Sequence, residues 1–173
     1  GDAKLKRFTP KDHLDGKARR RGNNPGPGGW FAEDEYVFSK HAEFAKRMVE
    51  GGARIGIGSH GQLQGLGYHW ELWSMASGGM TAHDALRVAT IYGAEAVGMG
   101  QDLGSLEAGK MADILVLDAN PLENIRNSNG IRYVMKNGRI YDGNTLNEIW
   151  PRQRTLASQY WQGGVPQTAA GIR

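Results

Sequence analysis

The sequence contains no cysteine, which excludes disulfides, thiolate nucleophiles and cysteine-ligated zinc. No apolar run approaches the roughly 18 residues of a membrane span, and no leader pattern is visible, so no membrane partner is expected. The compartment stays open between cytoplasm and periplasm. Core-forming side chains are also scarce: Leu, Ile, Val and Phe account for 33 of the 173 residues, about 19%. A net charge of only +3, from 21 basic and 18 acidic side chains, argues against a wholly disordered polyelectrolyte. Glycine is what abounds, at 26 residues, about twice its usual share. The expectation is a folded middle with loosely packed ends, forming one domain or part of a larger one. The chain opens on Gly1 rather than Met, and its natural start is expected to lie upstream.

Charge is unevenly spread. Residues 1–30 carry eight Lys/Arg and three Asp, whereas everything after Trp30 sums to −2. This basic, Gly/Pro-rich segment includes Arg19-Arg20-Arg21 and then Asn23-Asn24-Pro25-Gly26-Pro27-Gly28-Gly29, which is loop chemistry without a helical or alternating period. No recognition helix or stacking aromatics accompany the arginines, so nucleic acid is not the expected partner. A solvated loop, or a stretch packed against something outside this chain, fits the composition better.

From residue 31 to 100 helix and strand patterns alternate. Glu33–Glu50 places acids first, bases later and Val37, Phe38, Phe44, Ala45, Met48 and Val49 near helical spacing, stopped by Gly51-Gly52. Ala53–Gly58 reads as a short strand with Ile55 and Ile57 on one face, and it ends at Ser59-His60-Gly61. A polar, glycine-rich loop from Gln62 to Tyr68 follows, which is where α/β proteins place their sites. His69–Ala76 predicts a helix with Trp70 and Trp73 on one aromatic face. Thr81, with Asp84 three residues on, predicts the cap of a helix running to Val97.

From 101 to 145 the period falls to about 2. Met111–Asp118 predicts a strand, and Ile131–Lys136, Asn137-Gly138 and Arg139–Tyr141 predict a hairpin on the preferred Asn-Gly turn. Residues 146–173 read as a polar tail.

Three stretches carry a family resemblance. Gly104-Ser105-Leu106-Glu107-Ala108-Gly109-Lys110 with Ala112-Asp113 is similar to the G-S-L-E-x-G-K-x-A-D signature of the amidohydrolase superfamily. Upstream, Met80-Thr81-Ala82-His83-Asp84-Ala85-Leu86 with Ala89-Thr90 resembles the M-T-x-x-E-A-L helix of those proteins, and Val134–Arg139 resembles their closing hairpin. Gly58-Ser59-His60-Gly61-Gln62-Leu63-Gln64-Gly65-Leu66-Gly67 followed by His69-Trp70-Glu71 resembles the branch associated with TolB-like propeller modules. The resemblance covers about residues 5–150 here but only the C-terminal third or so of such an enzyme.

That resemblance implies the C-terminal portion of a metal-dependent (β/α)8 barrel plus strands of a small β-sandwich. It implies hydrolysis of C–N bonds in small-molecule amides or cyclic amides, or of related esters, by water activated on a divalent metal, zinc foremost. The family's His-x-His pair is absent from this sequence, so the chain alone is expected to lack the main ligands and to be inactive. Many relatives end the last barrel strand in Gly-Ser-Asp, and here Ser59-His60 stands in that place. A histidine there can accept a proton near neutral pH, ligate a metal as neutral imidazole, or simply hydrogen-bond the loop. His60 is therefore the catalytic and metal-ligand candidate, with Gln62, Gln64, Tyr68 and His69 as substrate-binding candidates. Trp70 and Trp73 are open between core and pocket, and His41 and His83 read as surface residues. The expected partner is either the missing barrel portion or, for a noncatalytic α/β module, further copies of the chain covering its open edges.

Overall fold

A computed structural model describes residues 3–18, 37–60, 63 and 65–162. Two short helices open it, α1 (Ala3–Phe8) and α2 (Lys11–Ala18). Both precede the arginine run and the Gly/Pro stretch that the sequence marks as loop, and α2 ends on Lys17 and Ala18. Lys11 and Asp15, one turn apart, form an ion pair at 2.5 Å that supports α2. The run of three arginines and the Gly/Pro stretch after it lie outside the described residues.

Helix α3 (Phe38–Glu50) packs on α4 (Leu66–Ser77) at an unusually close approach. Ala42 is buried there, and a Cβ added to Gly78 would collide with the backbone of Ala42 and Glu43 and lie 2.6 Å from the Ala42 Cβ. The buried face of α3 is thus built on small residues. Phe44, expected in the core stripe, is 60% exposed, and Val37, Phe38 and Met48 face outward with it.

Between these helices the chain runs extended through Ala53–Ser59. Ile55 and Ile57 pack into the core, while Arg54 and Gly56 on the alternate side run along α6 (Ile91–Ala96), so the period-2 alternation is present. Among the described residues no strand pairs with it, and the expected strand is an unladdered extended segment. It passes close to α6, where a Cβ on Gly56 would come within 3.1 Å of the Gly93 Cα.

The helix expected over 81–97 is two helices, α5 (Ala82–Val88) and α6 (Ile91–Ala96). The break falls at Thr90. Its hydroxyl donates to the Leu86 carbonyl at 2.7 Å, and its backbone leaves the helical region at φ −131°, ψ −98°. The core cluster is Leu72, Met80, Ala85, Val88 and Tyr92, with Val49, Ile55, Ile57 and Trp73 packed around it. Val88 is fully buried, worth about 1.5–3 kcal/mol by burial alone.

The second half is a four-stranded antiparallel sheet in the order β1-β2-β3-β4, formed by Ile114–Leu117, Ile131–Lys136, Arg139–Asp142 and Glu148–Trp150. The hairpin is as expected: Asn137 and Gly138 both have positive φ, 47° and 74°, and Lys136 pairs with Arg139. Strand β4 falls within residues read as polar tail. It forms because Ile140 and Tyr141 pair with Trp150 and Glu148, and Glu148 is buried against Arg152. A 3-10 turn at Ile125–Asn129 joins β1 to β2 and packs on α4.

Candidate functional site

The candidate site is the end of the Ala53–Ser59 segment and the first turn of α4. His60 terminates the segment, exposed, with φ at +51°. A non-glycine residue in the left-handed region costs on the order of 1 kcal/mol or more, and such positions concentrate at functional sites. Gly65, also at positive φ (78°), leads into α4. Gly67 then seats the helix on the segment, because a Cβ there would stand 3.2 Å from the Ser59 Cβ. Leu63 is buried, and its carbonyl accepts the Gly67 N–H at 2.8 Å. Gln62 and Gln64 lie outside the described residues.

Tyr68 and His69 have internal partners. The Tyr68 hydroxyl donates to the Ala89 carbonyl at 2.6 Å, and burial pushes its phenol above its ordinary pKa. His69 Nδ1 lies 3.2 Å from the Ser128 Oγ, in the 3-10 turn before β2. Burial, and secondarily the positive charge of Lys4, hold its imidazole below the ordinary value. Trp73 resolves to the core side: its indole N–H donates to the Ile125 carbonyl at 3.1 Å and the Ser128 Oγ at 3.0 Å. Trp70, one turn away, is 46% exposed, so the two indoles do not share an environment. His41 and His83 are exposed, as expected.

The signature stretch is a clasp. Lys110 donates to the Gly100 carbonyl and the Ser105 Oγ, both at 2.6 Å, and pairs with Glu107. Ser105 in turn donates to Glu107, whose carboxyl these contacts hold below its ordinary pKa. Asp113 pairs with Lys136 and accepts the Asn137 N–H at 2.7 Å, fixing the hairpin turn onto the clasp. These contacts are the physical content of a motif that sequence alone presents as a pattern.

Residues 17–141 match the amidohydrolase family model. The chain belongs to the amidohydrolase family. It is 32% identical over 87 residues to a 5-methylthioadenosine/S-adenosylhomocysteine deaminase of Teredinibacter turnerae, covering 44% of this chain and 20% of that protein. To an imidazolonepropionase of Shouchella clausii it is 38% identical over 85 residues, covering 46% and 19%. Among solved structures, an amidohydrolase aligns with a TM-score of 0.53 at 28% identity, over 76% of this chain and 32% of that one. A Xaa-Pro dipeptidase with methionine in its active site aligns at 0.52 and 30% identity, over 58% and 25%. The chain therefore spans about a fifth of the length of these two curated relatives.

The fold family implies a metal, and the described residues do not fit one by themselves. No group of three or more His, Asp or Glu among them converges on a point where an ion could be held. His60 offers a single imidazole, which alone is too few ligands to hold an ion.

Proposed function

We propose that this chain is the C-terminal part of an amidohydrolase that cleaves C–N bonds of small-molecule amides or cyclic amides, or related esters. It contributes the last elements of a (β/α)8 barrel, residues 31–100, and sandwich strands, residues 101–145, and is inactive without the rest. His60 takes the proton from the attacking water as oxygen bonds to the carbonyl carbon. It returns that proton to the nitrogen as the C–N bond breaks. Gln62 and Gln64 contact substrate beside it.

The observation that carries this reading is the family match over residues 17–141, together with His60 held in the left-handed region at the end of the extended segment. The Gly58–Gly67 loop and His69-Trp70-Glu71 support placement in the propeller-associated branch. Exposed apolar side chains on α3 and on β1, including Phe44 and Leu115, support a partner that covers them, either the missing barrel portion or a second copy.

The test is hydrolysis of a panel of N-acyl amines, cyclic amides and matching esters by the full gene product, with His60→Ala and His60→Gln beside it. The reading expects C–N cleavage that falls by at least about 100-fold in both variants. Turnover unchanged in both would overturn the role of His60.

A further inference from the structure

Helix α4 leaves directly from the loop that carries His60, and its first turn is fixed to three different parts of the molecule. Gly67 rests on Ser59, Tyr68 donates to Ala89 before α6, and His69 meets Ser128 before β2. The third contact pairs all of its groups in one proton order. Ser128 is 4% exposed, and its Oγ receives the Trp73 indole N–H, which can only donate. His69 Nδ1 is the acceptor within reach of the serine's own proton, and it accepts only when the ring is neutral and carries its hydrogen on Nε2. In that state the sequence Trp73 N–H, Ser128 O–H, His69 Nδ1 satisfies every member.

A protonated imidazole has no lone pair. Ser128 Oγ has a lone pair for each of the two donors, but its own proton would lose the acceptor that the neutral ring supplies. The surrounding groups reinforce this. Lys4 on α1 adds positive charge at the ring, Arg126 of the 3-10 turn sits over Trp73 at 4.8 Å, and the neutral Tyr68 ring meets His69 edge-on at 6.5 Å. No carboxylate contributes to the field at His69 among the described residues.

We propose that His69 is a positioning residue: as neutral imidazole it latches the first turn of α4 to the Ile125–Asn129 turn, holding the start of α4 against Ser59 beside His60, and it releases that latch on protonation. The latch stands on geometry alone; its bearing on hydrolysis rests on the proposed role of His60.

The test uses the chain labelled with 15N-histidine, with His69→Asn and Ser128→Ala as variants. Asparagine places Oδ1 where Nδ1 was, accepts the same serine proton and does not titrate. The imidazole signal lost in His69→Asn should show the Nε2–H tautomer and a midpoint below that of an ordinary histidine, and Ser128→Ala should move that midpoint upward. Amide exchange at Leu63 and Gly65–His69 should rise about fivefold in Ser128→Ala, the loss of one buried hydrogen bond. In the unaltered chain it should rise similarly on acidification through the His69 midpoint, after correction for intrinsic rate. In His69→Asn protection should persist with no pH dependence. An Nδ1–H tautomer, or a midpoint indifferent to Ser128→Ala, overturns the latch, and the unaltered chain alone supplies the tautomer and acid-exchange results. In the full gene product, an intact latch with hydrolysis indifferent to His60→Ala would instead overturn the reading of His60 and leave the latch standing.

Discussion

Gly78 and Ala42 meet where the end of α4 crosses α3, so closely that no side chain fits between them. Gly78 has φ −81°, a value any residue adopts, so its requirement for glycine is steric rather than conformational. Gly78→Ala should destabilise the chain by about 2–3 kcal/mol through forced separation of the two helices. Urea unfolding measures this, and a loss below about 0.5 kcal/mol, the size of an ordinary surface change, would show that the contact is looser than described.

Thr81 caps α5 by accepting the Asp84 N–H at 3.0 Å, and its hydroxyl donates to the Asp84 carboxylate at 2.7 Å. Thr81→Ala should cost about 1 kcal/mol, and Thr81→Ser should restore most of it. The pair of midpoints in one denaturation series checks the cap without reference to any other residue.

Lys110, with its side chain almost wholly enclosed, is the centre of the signature clasp. Lys110→Met keeps much of the aliphatic stem but strands the Gly100 carbonyl and leaves the Ser105 hydroxyl with its bond to Glu107 alone. A loss of about 2–3 kcal/mol is expected, larger than for Glu107→Gln, whose side chain is exposed. Thermal unfolding of the two variants gives the ordering, and equal losses would deny Lys110 its central place.

Stability should depend on pH through His69. Its folded pKa lies below the unfolded value of about 6.5, so the unfolded chain binds the extra proton first. The contribution is fully present above about pH 6.5 and is lost as pH falls from there through the folded value. His69→Asn should flatten the stability profile over that interval. A profile with the same slope in both proteins would assign the dependence to other groups.

Much of this architecture is legible from local chemistry. The Asn137-Gly138 turn and the Thr81 cap are settled by neighbours within three residues, and both form as read. Features that depend on distant partners are not legible in that way. Hydrophobicity places Phe44 inside α3's core stripe, yet the buried face is set by Ala42 against Gly78, a contact between segments far apart in sequence. A continuous helical pattern breaks at Thr90, whose backbone leaves the helical region, and nothing in the local pattern marks that residue. At the site, a histidine at the end of an alternating segment is visible in sequence, whereas its left-handed backbone is not. Nor is the pairing of His69 with Ser128, 59 residues later, which only the packing of α4 on the 3-10 turn creates.

The central claim is that His60 does chemistry in an amidohydrolase completed beyond this chain. Its most direct measurement is kcat/KM for C–N hydrolysis by the full gene product at neutral pH, compared with His60→Gln. The account predicts a value at least about 100-fold lower in the variant. An identical value in the two proteins would contradict it.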